Sequence, residues 1–292
     1  MIRLVDKMKN PIQAQFPDGP PLGFSKSGAA KLAPSGLSAA APIPPARDGT
    51  ARRAVASGIG LSSEPREAGS VGALIFDMDG TMIDSMPYHA RSWVEFCRRH
   101  AVNIDVDDLM RRTTGRTGAE CMRELFQREV PAAEALDLIH EKETLYRELF
   151  APVFTEVAGF KVFADQALAR GLQIGVGTAG DQHNIAFAMS HLKMRVMPHA
   201  IVGGDEGLPG KPEPAIFLEA SKRMATVATA CIVFEDAPFG IEAARRAGMR
   251  AVAICTSHSA AELGGAHVLA HVRDYNELLN SNFLEKLHVA IE

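Results

Sequence analysis

The sequence predicts an α/β fold, a doubly wound, Rossmann-like parallel sheet that carries an inserted all-helical domain. A short apolar run at 73–76 ends in a pair of carboxylates, which is typical of a strand buried on both faces of a parallel sheet. After Gly159 the sequence alternates helical and strand patterns, as right-handed βαβ units do. Residues 86–154, between these two regions, carry only helical patterns.

The first predicted strand covers Ala73 to Phe76 and ends at Asp77. Asp79 follows two residues later, so both carboxylates are expected on one side of the chain, near one small volume beyond the sheet edge. Two carboxylates at such a short distance repel each other unless a cation or a shared proton lies between them. An acidic strand-to-helix turn, in which Asp79 and Gly80 supply only turn chemistry, is the alternative.

The helical insert is predicted to begin near Pro87, because proline is favourable in the first turn of a helix. The residues expected on the apolar face of this helix are Trp93, Val94, Phe96 and Cys97. Further helices are predicted at 105–112, 117–129 and 132–150. Since the insert follows the first strand directly, it is expected to stand over the carboxylates, where a lid would close.

The region after Gly159 is predicted to complete the sheet. Its predicted strands lie at 172–177, 200–202, 230–234, 250–254 and 267–270. Its predicted helices lie at 160–170, 182–192, 213–225 and 238–247. Open α/β sheets bind ligands beyond the carboxyl ends of their strands, so the functional groups are expected at that edge.

Residues 1–68 differ in composition from the rest of the chain. They hold nine of the seventeen prolines, two aromatic residues, and nine Lys or Arg against five Asp or Glu. Such a segment buries too little apolar surface to offset its ordering entropy, so we predict a disordered extension, with a targeting peptide as the alternative. The predicted domains are the extension at 1–68, the α/β core at 69–85 and 155–292, and the helical cap at 86–154.

Composition argues against several classes of function. The chain has 292 residues, 47% of them hydrophobic, and its formal net charge of −4 provides no basic field for nucleic acid. No apolar run reaches the roughly eighteen residues that a membrane span needs. The four cysteines are scattered without a CxxC pair, which predicts buried thiols in a reducing, cytoplasmic compartment. We expect a small-molecule partner and a monomer.

Polar groups follow four of the predicted strands in turn. They are Asp77 and Asp79, then Thr178, then Lys211, and finally Glu235 and Asp236. Carboxylate oxygens suit Mg²⁺, whereas a hydroxyl and backbone N–H groups at the start of a helix, together with a lysine, suit an anion. Each group alone has a simpler explanation, such as a capping threonine or a solvated loop lysine. Together they describe a phosphoryl-transfer site.

These motifs resemble those of the haloacid dehalogenase-like hydrolases, and in particular the β-phosphoglucomutase-like branch (subfamily IA phosphatases) with a helical cap. The similar stretches are Asp77-Met78-Asp79-Gly80-Thr81, Thr178, Gly210-Lys211-Pro212-Glu213-Pro214 and the run from Val233 to Ala244. The resemblance covers residues 71–280. It implies that Asp77 is a nucleophile that forms an aspartyl-phosphate, and that Asp79 is the general acid and then the base.

The resemblance also implies a metal site and a phosphate site. Mg²⁺ would be bound by Asp77, the carbonyl oxygen of Asp79 and Asp236, with Glu235 assisting. The phosphoryl oxygens would be held by Thr178, Ala179 and Lys211.

Two residues of the insert are candidates for substrate contact. His89 matches a histidine near the hinge of the sugar-phosphate members of the family, and a structural histidine is the alternative. The loop Gly115-Arg116-Thr117-Gly118 resembles the cap loop that reads the substrate. β-Phosphoglucomutase has an arginine for the second phosphate at the place of Gly118, so Arg116 is either its substitute or a solvated arginine.

We therefore expect a Mg²⁺-dependent phosphatase that acts on a small phosphorylated metabolite, in particular a sugar phosphate. A phosphosugar mutase is the alternative, although Thr81 and Gly118 depart from the mutase pattern. A signalling receiver domain uses similar groups on a parallel sheet, but it has no place for the helical insert. A catalytically inactive binding protein would be expected to have lost one of the four groups.

Overall fold

The structure, a computed structural model, describes residues 70–289, so the predicted N-terminal extension lies outside the described residues. The strands are β1 (Ala73–Phe76), β2 (Gln173–Gly177), β3 (Ala200–Val202), β4 (Cys231–Glu235), β5 (Arg250–Ile254) and β6 (Val268–Val272). They form one parallel sheet in the order β3-β2-β1-β4-β5-β6. The predicted doubly wound α/β fold is confirmed, and each predicted strand is within two residues of its observed bounds.

Ten α-helices lie within the described part of the chain. Four of them follow β1, namely α1 (Met86–Arg99), α2 (Val106–Thr113), α3 (Gly118–Phe126) and α4 (Ala132–Phe150). The others are α5 (Phe160–Ala169), α6 (Gln182–Leu192), α7 (Ala215–Arg223), α8 (Pro238–Arg246), α9 (Tyr275–Asn280) and α10 (Phe283–Val289). None of these helices is both long and apolar enough to cross a membrane.

The order of the strands places β1 at the centre of the sheet, between β2 and β4. Phe76 pairs with Val176 on one side and with Phe234 on the other, so the next residue, Asp77, is level with Gly177 and Glu235. The strand order reverses at β1, and ligands of open α/β sheets bind at such a point. The register therefore brings the ends of three strands together around Asp77.

Both faces of the sheet are buried, as the continuous apolar run of β1 predicts. Leu74 and Phe76 pack into a large cluster with α5, α9 and α10, while Ala73 and Ile75 pack on the other face with α7 and α8. Phe76 stacks on the ring of Phe234 at a centroid distance of 4.6 Å. The carboxyl end of β1 is thus anchored in a rigid aromatic core.

Helices α1 to α4 have an apolar cluster of their own. Its buried members are Trp93, Phe96, Cys97, Leu109, Cys121, Met122, Leu125 and Leu145. The prediction that Val94 belongs to this face is wrong, because its side chain is 56% exposed. Positions 93, 96 and 97 share a face at a spacing of three and four residues, whereas position 94 is rotated away from it.

The four cysteines are free thiols, as predicted. Cys97, Cys121 and Cys231 are buried, while Cys255 is partly exposed. Burial raises the pKa of the Cys121 thiol to about 12, which makes it a poor nucleophile at neutral pH.

Helices α9 and α10 were not predicted, because they are short and follow the last strand without a clear periodicity. The signal that could have found α9 is Asp274, whose side chain accepts a hydrogen bond from the backbone N–H of Glu277 at 3.2 Å. Tyr275 is fully buried, and its ring lies 5.3 Å from each of the rings of Phe160 and Phe163. The chain end after β6 therefore closes the larger core cluster.

We expect Tyr275→Ala to lower the free energy of unfolding by about 3–5 kcal/mol, since it leaves a cavity among aromatic rings. The Tyr275 hydroxyl is buried and finds no hydrogen-bond partner among the described residues, so Tyr275→Phe should be neutral or slightly stabilising. Urea denaturation of the two variants measures both effects. Equal stability of the two variants would show that α9 does not close the core.

Candidate active site

A buried lysine joins two of the predicted carboxylates. Lys211 Nζ donates to Asp77 Oδ1 at 2.5 Å and to Glu235 Oε2 at 2.8 Å. The side chains of Lys211 and Glu235 are 1% exposed, so this contact is shielded from solvent. Although the three residues are far apart in sequence, the ends of β1 and β4 and the loop after β3 bring them together, as predicted.

The three carboxylates of this site form a compact acidic cluster. Asp77, Glu235 and Asp236 each offer an oxygen atom, and these atoms lie within 4.8 Å of one another. Asp236 Oδ2 is buried and has no hydrogen-bond partner among the described residues. A Cβ at Gly80, where φ is +76°, would lie 2.2 Å from that oxygen, so the turn must carry glycine to let Asp236 approach.

The charge of this cluster is incompletely balanced, because one lysine faces three buried carboxylates. Burial and the neighbouring charge of Asp77 raise the pKa of Asp236 to about 7, and burial and Asp77 also raise the pKa of Glu235 well above its usual value. Burial raises the pKa of Asp77 too, although Lys211 opposes it. A cation bound beside these carboxylates would lower their pKa values and favour their charged forms. The oxygen donors and the orphaned Asp236 oxygen fit a divalent metal ion.

Asp79 has a different set of partners from Asp77. Its Oδ1 accepts hydrogen bonds from Ser85 Oγ at 2.7 Å, Tyr146 Oη at 3.1 Å and the His89 ring Nε2 at 3.1 Å. Burial alone raises the pKa of Asp79, but His89 and these hydrogen bonds outweigh burial and hold the pKa below its usual value. Both carboxylates line the same cavity, yet their environments shift their pKa values in opposite directions.

His89 is held between Asp79 and a lysine that sequence reasoning missed. Lys142 Nζ lies 2.7 Å from His89 Nδ1, and the His89 ring stacks on Tyr146 at a centroid distance of 3.8 Å. An ammonium group can only donate, so Nδ1 accepts and Nε2–H donates to Asp79. Lys142 is 3% exposed and lies at helical spacing from Leu145 and Tyr146. The sequence signal that could have identified Lys142 is a lysine on the apolar face of a helix.

The predicted anion-binding loop follows β2 as expected. Thr178 is 1% exposed, and its Oγ1 accepts a hydrogen bond from the backbone N–H of Gly180 at 3.0 Å. Asp181 then caps α6 by accepting from the N–H of Asn184 at 2.8 Å. Thr178, Ala179 and Gly180 line the same cavity as Asp77, so the loop faces the acidic cluster from the start of a helix.

Arg116 lies at the cavity as well. Its guanidinium is over the ring of Phe239, 5.0 Å from the centroid, so the loop of the helical insert contacts the first turn of α8. Gly118, at the position where an arginine is expected in the mutases, faces Ile139, since an added Cβ would lie 3.0 Å from that side chain. No cation therefore stands at that position.

The cavity lies between the carboxyl ends of the strands and the helical insert. Its polar end is formed by Asp77, Asp79, Thr178, Glu235 and Asp236. The helical insert contributes the apolar side chains of Trp93, Met110, Met122 and Ile139 together with polar ones, among them His89, Lys142 and Glu143. A cavity lined by these groups suits a small molecule that has one strongly anionic group.

Sequence reasoning also missed a loop after β5 that supports the site. Thr256 Oγ1 donates to the carbonyl oxygen of Gly80 at 2.5 Å, and the His258 ring nitrogen Nδ1 lies 2.9 Å from the carbonyl oxygen of Asp236. These contacts hold the two backbone segments that carry the carboxylates. No pattern in the local sequence indicates them, because both partners are distant in the chain.

The chain belongs to the haloacid dehalogenase-like hydrolases. The family profile described as haloacid dehalogenase-like hydrolase matches residues 74–254, which include all four groups of the site. The resemblance drawn from the motifs is thus confirmed, and the chain is an enzyme of the hydrolase class.

Two relatives and one solved structure are similar to the chain. It is 31% identical to validoxylamine A 7'-phosphate phosphatase of Streptomyces hygroscopicus subsp. limoneus over 70% of this chain and 94% of the relative. It is 34% identical to fructose-1-phosphate phosphatase of Escherichia coli over 61% of this chain and 94% of the relative. The crystal structure of β-phosphoglucomutase from Clostridium difficile has a TM-score of 0.65 and 24% identity, covering 76% of this chain and 99% of that one, and it shows the shared fold.

We expect Lys211→Met to lower the free energy of unfolding by about 3–5 kcal/mol at neutral pH in metal-free buffer, because Asp77 and Glu235 are left buried and unpaired. This loss of unfolding free energy should become smaller towards about pH 5, because protonated carboxyl groups carry no charge for a cation to neutralise. Urea denaturation over a pH series measures both effects.

The matched control is Lys222→Met, which removes a lysine whose side chain is 78% exposed and should change stability by less than about 0.5 kcal/mol. Adding Glu235→Gln to Lys211→Met should recover part of the loss. A Lys211→Met variant as stable as the unaltered protein would contradict the idea that the lysine neutralises the cluster.

Proposed function

We propose that this phosphoric monoester hydrolase is a Mg²⁺-dependent phosphatase that acts on a small phosphorylated metabolite, in particular a sugar phosphate, through an aspartyl-phosphate at Asp77. The observation that carries the proposal is the pairing of two carboxylates in one cavity, with Asp77 held by a buried lysine and Asp79 held by three hydrogen-bond donors. Two such environments suit a nucleophile and a proton carrier.

Asp77 and Asp236, with the carbonyl oxygen of Asp79, are the residues proposed to hold Mg²⁺, and Glu235 assists by holding Lys211. When bound, the ion neutralises charge on the phosphoryl oxygens and on the buried carboxylates. The unbalanced charge of the cluster and the orphaned oxygen of Asp236 support this assignment. Asp77 must be ionised to act as the nucleophile, and Lys211 and the ion would favour that form, because burial raises the pKa of Asp77.

In the proposed first step, a carboxylate oxygen of Asp77 attacks phosphorus and forms a P–O bond while the bond to the leaving oxygen breaks. Asp79 donates a proton to that oxygen. Asp79 is held ionised in the resting site, so it needs a proton before this step, and a phosphate dianion bound beside it raises its affinity for one. Lys211, the Thr178 hydroxyl and the backbone N–H of Ala179 are proposed to hold the phosphoryl oxygens.

In the second step, water attacks the aspartyl-phosphate and Asp79 accepts the proton of that water. The bond between phosphorus and the Asp77 oxygen breaks, which releases inorganic phosphate and restores the Asp77 carboxylate. The proton is then on Asp79, which releases it to solvent on return to the ionised resting site. His89, backed by Lys142, is proposed to orient Asp79 for both proton transfers. The 3.1 Å contact between the His89 ring and Asp79 supports this role.

The helical insert, residues 86–154, is proposed to be a cap domain that excludes bulk water while the substrate is bound. Two contacts across to the core support a closed arrangement, namely Arg116 over the Phe239 ring and Arg147 Nη1 donating to Asn184 Oδ1 at 2.7 Å. Three features stay predictions: the disorder of the extension at 1–68, a cytoplasmic location and a monomeric state.

The sugar-phosphate preference is supported by the names of two relatives, since one acts on fructose 1-phosphate and the other on validoxylamine A 7'-phosphate. A phosphosugar mutase of the β-phosphoglucomutase type remains the rival. A mutase must grip a second phosphate during transfer, and the cavity has Gly118 against Ile139 where the gripping arginine is expected. Hydrolysis is therefore the preferred proposal.

We expect Asp77→Asn to reduce phosphate release from a sugar phosphate by at least about 10³-fold, or about 4 kcal/mol of barrier, since an amide is a poor nucleophile and a poor metal ligand. Asp84→Asn, at an exposed carboxylate nearby, is the control and should retain activity. Circular dichroism verifies folding. Substantial turnover by a folded Asp77→Asn protein would refute the nucleophile assignment.

With β-glucose 1-phosphate and a hexose bisphosphate primer, we expect inorganic phosphate or no reaction in preference to glucose 6-phosphate. The reason is that the aspartyl-phosphate at Asp77 is open to water once the leaving group departs, with Asp79 beside it as a base. A coupled dehydrogenase assay follows glucose 6-phosphate while a colorimetric assay follows phosphate. Faster formation of glucose 6-phosphate would replace the phosphatase with the mutase.

A further inference from the structure

Glu143 lines the cavity and has no part in the proposed phosphoryl transfer. It lies on α4, its side chain is 15% exposed, and it shares the cavity wall with Asn184. Its Oε1 accepts from Lys142 Nζ at 2.9 Å and its Oε2 accepts from Asn184 Nδ2 at 2.7 Å. Each carboxylate oxygen has a second lone pair, so Glu143 retains the capacity to accept hydrogen bonds from a bound molecule.

The carboxylate of Glu143 is charged at neutral pH. Burial alone raises its pKa, but the charge of Lys142 and the hydrogen bonds from Asn184 and Lys142 outweigh burial, so the pKa lies below its usual value. The cavity wall therefore carries the charged carboxylate of Glu143 at neutral pH, in addition to the carboxylates at the strand ends.

The orientation of Glu143 is held from both sides. Arg147 Nη1 donates to Asn184 Oδ1 at 2.7 Å, which turns the amide nitrogen of Asn184 towards Glu143. Asn184 is 2% exposed. Arg147 supports this arrangement from outside the group of residues that line the cavity.

The cations near Glu143 are already engaged. Lys142 contacts both Glu143 and His89, and its ammonium lies 4.9 Å from the centroid of the Trp93 ring. Arg116, the other Lys or Arg side chain among the described residues that line the cavity, is over the Phe239 ring. A second phosphate beside Glu143 would therefore meet a carboxylate, and the neighbouring ammonium group of Lys142 already donates to that carboxylate.

We propose that Glu143 determines which phosphorylated molecules enter, by accepting hydrogen bonds from substrate hydroxyl groups and repelling a second anionic group. The substrate class is then a polyhydroxylated monophosphate that carries no further phosphate or carboxylate. This proposal rests on the proposed phosphatase function and deepens it. Like-charge contacts are an effective means of rejecting wrong ligands, because an unpaired anion in an enclosed site is strongly disfavoured.

The test compares kcat/KM for fructose 1-phosphate and fructose 1,6-bisphosphate, which share one carbon skeleton, and for propyl phosphate, which lacks hydroxyl groups. The unaltered protein should prefer the monophosphate over the bisphosphate by at least about tenfold, or about 1.4 kcal/mol. In Glu143→Gln, which keeps the shape and removes the charge, this ratio should fall by about tenfold. The preference for fructose 1-phosphate over propyl phosphate should also fall, mainly through KM.

Two matched variants separate the carboxylate from other effects. Glu141→Gln removes a carboxylate of the same helix that faces Arg99 and His100, and it should leave both ratios unchanged. Arg147→Ala removes the support of Asn184 but leaves the charge of Glu143, so the ratio of monophosphate to bisphosphate should persist. An equal change in Arg147→Ala and Glu143→Gln would show that the closure of the cap, and not the carboxylate, sets the preference.

The unaltered protein provides an independent measurement if Glu143→Gln does not fold. Fructose 1,6-bisphosphate should inhibit hydrolysis of p-nitrophenyl phosphate at least about tenfold more weakly than fructose 1-phosphate does. Equal inhibition by the two compounds would overturn the proposed role of Glu143 without affecting the phosphatase proposal. An unchanged ratio of kcat/KM for monophosphate and bisphosphate in a folded Glu143→Gln would do the same. If the unaltered protein releases phosphate from none of these compounds, the proposed function fails and this inference fails with it.

Discussion

The buried ammonium group of Lys211 is the interaction on which the rest of the site depends. Three carboxylates from β1 and β4 converge where the register of the parallel sheet makes Asp77 level with Glu235, and their mutual repulsion would oppose folding without a cation. Lys211 reaches them from the loop after β3 and donates to two of the three. Burial and the charge of Asp77 raise the pKa of Asp236, and the negative charge that Lys211 leaves unbalanced is what a divalent cation would neutralise.

Two aspartates that are two residues apart differ in chemistry because they belong to different layers of the molecule. Asp77 is enclosed by the core and its lysine, whereas the carboxylate of Asp79 meets donors of the helical insert, among them His89 and Tyr146. Their pKa values consequently move in opposite directions. The insert thus does more than cover the cavity, since it supplies the hydrogen bonds that keep Asp79 charged and in place.

The helical insert also sets the character of the far end of the cavity. Its apolar cluster, centred on Trp93 and Leu145, orients α4 so that Lys142 and Glu143 face inward as a pair. Lys142 already donates to Glu143, so a second phosphate at this wall would lie against a carboxylate whose neighbouring cation is engaged. The proposed preference for a molecule that is anionic at one end only depends on this pair.

The sequence by itself determined the fold, the four strand-end motifs and the family, because these depend on local periodicity and on residue types at fixed spacings. Asp77, Thr178, Lys211 and the Glu235-Asp236 pair could be assembled in advance, since parallel strands present their carboxyl ends at one edge. Only the tertiary structure decided that Lys142, Glu143 and Asn184 belong to the cavity. Their neighbours come from distant helices, and whether a charged helix residue faces solvent or a partner depends on packing that no local pattern encodes.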